Sequence, residues 1–364
     1  MSRAPVDANQ SFPLLEERVL ERWRERDVFA RSLANRAGAE RWVFYEGPPT
    51  ANGRPGAHHV LARVFKDIYP RFKTMRGYLV ERKGGWDCHG LPVEIGVEQE
   101  LGISSKEEIE AFGIAEFNAR CRESVFTYLE DWNALTERIG FWIDLEHAYR
   151  TLDSSYVESV WWALKQIANK DLLYEGSRVV PYCPRCGTAL SSHEVALGYK
   201  DVVDPSVYVR LPAVEPGGPL QAGDELLVWT TTPWTLPSNA AVAVDPDLTY
   251  VRARDGEATF VLAEALVEKV LGEEAEILDR FPGRELEGAR YVPPFDFIPG
   301  SEYGERGHSV LLGDFVTAED GTGLVHQSPA FGEDDFLSCR RVGVAMVNPI
   351  DTTGHFTADV PLVG

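Results

Sequence analysis

Two neighbouring histidines follow a loop that is rich in glycine and proline. Residues 45–59 read YEGPPTANGRPGAHH, with His58 and His59 at the start of a predicted helix. Glycine lets a backbone approach phosphate, and the N–H groups at a helix N-terminus attract anions. The imidazoles can stabilise charge that develops on an α-phosphate as pyrophosphate leaves. The loop therefore predicts an ATP site with contacts from Gly47, Gly53, Gly56 and His59. The alternative is a surface turn with incidental histidines.

An aspartate stands at the end of the next predicted strand. Residues 85–94 read GWDCHGLPVE, and Asp87 occupies the position where an open α/β sheet usually binds its ligand. A carboxylate at this position can bind the α-ammonium group of an amino acid as a charge-assisted pair. The alternative for a lone aspartate is an N-cap of the helix expected near Leu91.

Two segments in the C-terminal half combine hydroxyl, imidazole and carboxylate groups. Residues 229–239 read WTTTPWTLPSN, and the three threonines Thr230–Thr232 place hydroxyls on both faces of a strand, which favours a polar ligand. The alternative is an ordinary strand, because threonine favours β structure. Residues 321–335 read GTGLVHQSPAFGEDD and supply His326 and Asp335.

A pair of cysteines has the spacing of half a zinc knuckle. Cys183 and Cys186 form a CxxC followed by glycine, whereas a structural zinc site needs four ligands. The remaining cysteines are scattered along the chain, so a redox pair is the competing interpretation, although no thioredoxin-like βαβ unit surrounds it. We therefore expect a Zn²⁺ half-site at Cys183 and Cys186.

A βαβ unit is expected to position the histidines and Asp87. Residues 13–26 have the pattern of an amphipathic helix, and the apolar run 42–46 is typical of a buried strand. A helix over 58–75, kinked or ended by Pro70, and a strand over 78–84 complete the unit, with a right-handed crossover.

Two capping boxes predict the start of further helices. Ser105 with Glu108 begins one whose apolar residues repeat at helical spacing as far as Trp132. Ser155 with Glu158 begins another.

The character of the sequence changes near residue 180. Residues 181–199 form a cysteine-containing turn, and residues 203–362 consist mostly of short β-like segments punctuated by glycine, proline and aspartate. This pattern predicts an all-β or mixed barrel domain inserted into an α/β domain.

Composition sets the broad class. The 364 residues are enough for two or three domains. The sequence contains no run of ~18 apolar residues, so it predicts no membrane span. Five cysteines without a framework, and no signal peptide, favour a reducing cytosol. The net charge is −21, of which residues 201–364 hold −18, whereas residues 41–90 have a balance of +5 and can meet polyphosphate.

These motifs resemble the isoleucyl branch of the class I aminoacyl-tRNA synthetases along residues 11–364. The segments YEGPPTANG, GWDCHGLPVE, WTTTPWTLPSN and GTGLVHQSPAFGEDD carry the resemblance. The chain departs from the family at one signature. Where His-x-Gly-His is usual it has Gly56-Ala57-His58-His59, so His58 either supplies the missing imidazole or the site works with one histidine fewer.

The resemblance implies a fold and a set of domains. The fold class is α/β: the first half of a Rossmann-type catalytic domain with an inserted β-rich editing domain. The expected divisions are a helical extension over 1–40, the catalytic half over 41–180, a zinc-knuckle-like connector over 181–200 and the editing domain over 201–364, the last expected to be incomplete at its C-terminal end. The second cysteine pair, the lysine loop and the anticodon-binding region are expected beyond residue 364, so the chain by itself is not expected to catalyse pyrophosphate exchange.

The resemblance also implies residue roles. In activation, Asp87 binds the ammonium group, Pro48 lines the aliphatic pocket, and His58 and His59 are catalytic. In editing, Asp335 anchors the ammonium group of mischarged valine, and His326 excludes isoleucine by its bulk. The threonines contact the terminal adenosine and position water. The implied editing residues are Thr230, Thr231, Thr232, His326 and Asp335, with Asn239 as a substrate contact.

The implied function is activation of isoleucine with ATP and Mg²⁺, transfer to tRNA(Ile), and hydrolysis of valyl-tRNA(Ile), by a cytoplasmic monomer with no membrane partner. Hydrolysis is needed because one missing methylene in an apolar pocket is worth only ~1–3 kcal/mol, a limit best known from isoleucine against valine in this family. The alternatives are a stand-alone tRNA-editing deacylase and a non-catalytic tRNA-binding relic.

Overall fold

The computed structural model of the protein describes residues 9–196, 198–214 and 218–361. The chain divides into two compact units, an N-terminal unit (Met1–Glu175) and a C-terminal unit (Gly176–Gly364). The finer domain divisions expected from the sequence stay a prediction. None of the helices in the described residues combines the length and apolarity needed to span a membrane.

Helices surround a short parallel sheet in the N-terminal unit. Strands β1 (Lys83–Trp86) and β2 (Asp144–Arg150) pair in parallel, as expected for an α/β fold. The helices, in chain order, are α1 (Phe12–Glu25), α2 (Val28–Ala34), α3 (Ala57–Met75), α4 (Leu91–Leu101), α5 (Lys106–Phe112), α6 (Ile114–Ser124), α7 (Leu129–Arg138) and α8 (Ser154–Ala168).

The segment before α3 is not the buried strand that its apolar run predicted. It runs beside the chain that leads through β1, but only isolated parallel bridges join the two, from Arg41 to Leu79 and from Thr50 to Asp87. Tyr45 is 88% exposed. The prediction was wrong because the exposed and covered side chains alternate, so an apolar run here does not mean burial on both faces. The next strand also lies later than expected, at β1 rather than over 78–84.

Helices α1 and α3 confirm their predictions, apart from the effect of Pro70. This proline is buried inside α3, and the helix continues to Met75. Thr74 Oγ1 donates a hydrogen bond to the Pro70 carbonyl at 2.8 Å, which holds the turn that follows. Proline therefore removes one backbone hydrogen bond without ending the helix.

The predicted helix after Ser105 is divided into three. Ser105 caps α5 as expected, accepting from the Glu108 N–H at 3.2 Å. Gly113, with φ of 113°, then ends α5 and precedes α6. The second predicted capping box is wrong, because α8 begins at Ser154 with Asp153 at its N-cap and no side-chain cap.

The C-terminal unit is rich in β structure, as predicted. Its short helices are α9 (Ser192–Ala196), α10 (Val267–Leu271) and α11 (Glu333–Val342). Its strands are β3 (Tyr182–Cys183), β4 (Thr188–Ala189), β5 (Val207–Pro212), β6 (Asp224–Thr230), β7 (Ala241–Val244), β8 (Thr249–Asp255), β9 (Ala258–Ala263), β10 (Glu276–Pro282), β11 (Ser309–Leu312) and β12 (Val325–Gln327).

Two sheets and a small hairpin organise these strands. One sheet has the order β10-β8-β9-β6-β5, the other has the order β11-β7-β12, and β3 pairs with β4. Most pairs are antiparallel, whereas β6–β9 and β11–β7 are parallel. Residues of both large sheets meet in one buried apolar cluster, so the sheets share a core.

Two candidate functional sites

The predicted phosphate loop leads directly into the N-terminus of α3. Gly56 is the N-cap, and its N–H donates to His59 Nδ1 at 2.8 Å. The rings of His58 and His59 are 3.8 Å apart between centroids. Burial, followed by the neighbouring His58 and Arg63, lowers the pKa of His59. Both imidazoles therefore lie at the end of a 19-residue helix, where an anion is favoured.

Glycine at position 56 makes room for the His58 ring. A Cβ atom added to Gly56 would lie 2.9 Å from His58 Cε1, closer than side chains tolerate. The ring of His58 thus occupies the space that a side chain at position 56 would need. Whether His58 supplies the imidazole missing from position 56 or the site works with one histidine fewer stays a prediction.

Side chains from three elements hold the loop, and the sequence analysis missed them. Lys66 on α3 donates from Nζ to the Gly47 carbonyl at 2.7 Å. Tyr149 on β2 donates to the Glu46 carbonyl at 2.9 Å. Trp132 on α7 donates from Nε1 to the Gly53 carbonyl at 2.8 Å. No signal in the sequence links Trp132 to a glycine 79 residues away.

Asp87 lies beside the proline segment of the loop. Its N–H donates to the Pro49 carbonyl at 2.9 Å, which brings the aspartate near Pro48. Its carboxylate accepts from the His89 N–H at 3.3 Å and the Thr151 hydroxyl at 3.5 Å. The alternative role as a helix cap is wrong, because Gly90 is the N-cap of α4.

A cavity of about 460 Å³ lies between the two candidate editing segments. The threonine-rich segment enters from the end of β6, and the histidine and aspartate enter from β12 and the start of α11. The predicted residues that line it are Thr230, Thr231, Thr232, His326 and Asp335. It brings together side chains that are about a hundred residues apart in the chain.

Asp335 is held at the wall of this cavity. Its Oδ2 accepts from the Ser328 N–H at 2.8 Å. A Cβ atom on Gly332 would lie 2.8 Å from the Asp335 carboxyl carbon, so only glycine leaves room for the carboxylate. Burial, followed by the charge of Asp334, raises the pKa of Asp335 to about 6. A ligand that carries positive charge would stabilise the ionised form.

His326 is buried and has a partner on each ring nitrogen. Thr235 Oγ1 lies 2.9 Å from Nε2, and Asn239 Nδ2 lies 2.7 Å from Nδ1. Burial lowers the pKa of His326 to about 4, so the ring is neutral at pH 7. Neither nitrogen is left to accept a proton from a ligand.

The three threonines differ in their exposure. Thr230 is buried, whereas Thr231 and Thr232 are exposed. The Thr230 hydroxyl accepts from the Thr232 N–H at 3.1 Å, which turns the chain away from β6. The Thr231 hydroxyl is therefore open to a ligand, whereas the Thr232 hydroxyl lies 3.3 Å from that of Thr230 in the turn.

Asn239 lies behind His326 rather than at the cavity wall. It is 2% exposed, and its amide binds the Tyr291 hydroxyl, the Ala241 carbonyl and His326. The expected substrate contact therefore has no polar atom left for a ligand. Thr235 and Ser328, which do line the cavity, were present in the quoted segments but were not singled out. Tyr291 carried no signal in the sequence.

The CxxC forms a tight turn between β3 and β4. Cys186 N–H donates to Cys183 Sγ at 3.4 Å, and the Gly187 N–H donates to the Cys183 carbonyl at 2.8 Å. The hydrogen bond from the Cys186 backbone lowers the pKa of the Cys183 thiol. Nowhere in residues 9–196, 198–214 and 218–361 do three histidine, cysteine or acidic residues gather as metal ligands. These residues supply two of the four ligands that zinc needs and do not complete a site.

Comparison with known proteins agrees with the motifs. The chain is 59% identical over 360 residues to an isoleucine–tRNA ligase of Streptomyces coelicolor, an alignment that covers 99% of this chain and 34% of the relative. It is 53% identical over 349 residues to an isoleucine–tRNA ligase of Thermus thermophilus, with 96% and 33% covered. The chain thus spans about a third of the length of the curated relatives that it matches.

A solved structure and a family model complete the comparison. The editing domain of the P. knowlesi cytosolic leucyl-tRNA synthetase is 13% identical, with 40% of this chain and 65% of that chain covered, and its TM-score of 0.30 is too low to carry an argument. The family model for class I tRNA synthetases (I, L, M and V) matches residues 18–298. Because this match extends over most of the sequence and both units, the chain belongs to the class I tRNA synthetases of the isoleucine, leucine, methionine and valine group.

Proposed function

We propose that the chain is part of an isoleucine–tRNA ligase and that its C-terminal unit hydrolyses valyl-tRNA(Ile). The observation that carries the hydrolytic assignment is the cavity of about 460 Å³ that Asp335, His326 and Thr230–Thr232 line together. Its size suits a small aliphatic amino acid together with part of an adenosine.

Each wall of the cavity has a task in this proposal. The Asp335 carboxylate binds the α-ammonium group, and the exposed Thr231 and Thr232 hydroxyls bind the terminal ribose and water. His326 closes the side-chain end of the cavity, so that valine enters and the larger isoleucine does not. The attacking water is placed by hydroxyls, and no side chain is assigned as a general base.

The N-terminal unit is proposed to activate isoleucine. Asp87 binds the substrate ammonium group beside Pro48, and the N-terminus of α3 with His58 and His59 receives the ATP phosphates. Mg²⁺ enters with those phosphates as part of the substrate. Cys183 and Cys186 would hold zinc only with two ligands from outside the described residues.

Hydrolysis of purified valyl-tRNA(Ile) tests the proposal. We expect the chain to release valine and the Asp335→Ala variant to be slower by about 30- to 100-fold, since a hydrogen-bonded contact to a charged group is worth ~2–3 kcal/mol. The exposed neighbour Asp334 supplies the matched control, and Asp334→Ala should remain within about threefold of the parent. Equal rates for the parent and Asp335→Ala would remove the aspartate from the mechanism.

A further inference from the structure

A buried tyrosine outside the cavity connects to the histidine that lines it. Tyr291 is 2% exposed and is not among the residues that line the cavity. Its hydroxyl donates to Asn239 Oδ1 at 2.6 Å, and the Asn239 amide nitrogen contacts His326. His326 then contacts Thr235. A row of four buried polar side chains therefore leads from the interior of the unit to the cavity.

The orientation of the Asn239 amide follows from its other neighbours. Its Nδ2 lies 3.2 Å from the Ala241 carbonyl, which can only accept a hydrogen bond. Its Oδ1 faces the Tyr291 hydroxyl. Exchange of the two amide atoms would place oxygen against the carbonyl, so the amide nitrogen is the group that points to His326.

This orientation fixes the position of the proton on His326. The Asn239 amide donates to Nδ1 at 2.7 Å, so Nδ1 must be unprotonated. The proton then lies on Nε2, which donates to Thr235 Oγ1 at 2.9 Å. The Thr235 hydroxyl can accept because its own proton goes to the Thr232 carbonyl at 2.9 Å. The hydrogen bonds of the row therefore all run in the same direction, from Tyr291 through Asn239 and His326 to Thr235.

We propose that Tyr291 and Asn239 are positioning residues that hold the His326 ring in one place and in its Nε2–H tautomer. In that state His326 is a rigid wall of the cavity and not a proton acceptor. The proposal rests on the hydrolytic function assigned to the cavity, because it explains how the wall keeps isoleucine out. The other tautomer would place an Nδ1 proton against the amide proton of Asn239, donor against donor.

The Tyr291 hydroxyl is the part of the row that can be removed with least disturbance. Tyr291→Phe keeps the ring and leaves Asn239 Oδ1 without its donor. The amide then keeps only its hydrogen bond to the Ala241 carbonyl beside its contact with His326, so the amide and the ring are held less tightly. Because a ring that is held less tightly can move aside for the extra methylene of isoleucine, selectivity should change more than the rate on the smaller substrate.

Deacylation of two substrates tests the positioning role. For Tyr291→Phe we expect hydrolysis of isoleucyl-tRNA(Ile) to rise about fivefold to tenfold and hydrolysis of valyl-tRNA(Ile) to stay within about twofold. Tyr303→Phe is the matched control, because Tyr303 is another buried tyrosine of this unit and forms no hydrogen bond in the row. A ratio of rates for Tyr291→Phe equal to that of the control would overturn the role of Tyr291.

Nitrogen NMR of imidazole-labelled protein tests the tautomer without any need for activity. The His326 signal, assigned by its loss in His326→Ala, should show the Nε2–H form alone in the parent at pH 7 and a mixture of both forms in Tyr291→Phe. An Nδ1–H form in the parent, or a single form in Tyr291→Phe, would overturn the inference. A parent that shows the Nε2–H form but does not hydrolyse valyl-tRNA(Ile) would contradict only the proposed function.

A second variant covers the case in which Tyr291→Phe does not fold. Thr235→Val has nearly the same shape and removes the acceptor of the Nε2 proton, while the Asn239 amide stays opposite Nδ1. We therefore expect Thr235→Val to keep the Nε2–H form alone. A mixture of tautomers in Thr235→Val would show that Thr235, and not the Asn239 amide, sets the proton position and would overturn the inference.

Discussion

The two units bury their apolar side chains to different extents. In the C-terminal unit, both large sheets contribute to one core, where Val242 and Leu262 are 0% exposed. In the N-terminal unit, α3 leaves Phe65 56% exposed and α8 leaves Trp161 69% exposed. Contiguous apolar faces of this kind are uncommon on a folded surface. The β-rich unit therefore has its own core, whereas α3 and α8 of the N-terminal unit each present an apolar face that the described residues leave exposed.

The two candidate sites differ in a related way. The cavity in the C-terminal unit is lined by the buried His326 and the partly buried Asp335, whose pKa values are both shifted by removal from water. The glycine-rich loop before α3 is instead held by hydrogen bonds to its backbone carbonyls, from Lys66, Tyr149 and Trp132. The first site depends on the packing of a core, and the second depends on a few side-chain contacts.

Unfolding of the two units as separate fragments should show the largest effect of their difference in burial. We expect residues 176–364 alone to unfold in one cooperative thermal transition, because their two large sheets bury apolar side chains in one shared core. We expect residues 1–175 alone to bind a dye specific for apolar surfaces and to show no cooperative transition, since a domain is stable by only ~5–15 kcal/mol and these helices leave much apolar area in water. Calorimetry and dye fluorescence make the measurement. Cooperative unfolding of the N-terminal fragment without dye binding would contradict the account.

Two alanine substitutions in the whole chain compare a buried side chain of one unit with an exposed side chain of the other. Leu262→Ala should lower the free energy of unfolding of the C-terminal unit by ~2–5 kcal/mol, because it leaves a cavity in the core. Phe65→Ala on the exposed face of α3 should change the stability of its unit by less than ~1 kcal/mol. Urea titrations followed by tryptophan fluorescence give both values. Equal losses would mean that the α3 face is covered after all.

Much of the N-terminal unit could be predicted from local signals. The amphipathic pattern of α1 and the Ser105 cap are both read within a few residues of the chain. The breaks were harder, because Gly113 interrupts a run whose apolar residues keep helical spacing on both sides. The prediction of a buried strand over 42–46 was wrong because an apolar composition does not show which faces of a segment are covered by other residues.

The candidate hydrolytic site was predictable as two segments but not as a network. Residues such as His326 and Asp335 stand in recognisable strings. The contacts that orient them join positions far apart, since His326 and Asn239 are 87 positions apart in the chain and Asn239 and Tyr291 are 52 positions apart. No periodicity or spacing records a contact of that kind, so Asn239 was expected at the substrate and Tyr291 was not expected at all.

A smaller effect concerns the energetic cost of the partly buried Asp335. Its pKa rises from 3.8 to about 6 on folding, so the ionised carboxylate disfavours the folded state, and stability falls as pH rises from about 4 to 6. Asp335→Asn should therefore raise the free energy of unfolding at pH 7.5 by ~1–3 kcal/mol and have little effect below pH ~4. Thermal unfolding across this range makes the measurement. The exposed Asp334→Asn is the control, and a gain of the same size there would contradict a cost specific to Asp335.

The most direct test of the hydrolytic cavity is the binding of a non-hydrolysable valyl-adenosine amide, measured by titration calorimetry. Such a ligand keeps the ammonium group, the aliphatic side chain and the nucleoside, but it cannot be cleaved. We expect the parent chain to bind this ligand and Asp335→Ala to lose at least about 30-fold in affinity, the size expected for a charge-assisted contact of ~2 kcal/mol. Equal affinity of the parent and Asp335→Ala would contradict the claim that this carboxylate receives the ammonium group of the substrate.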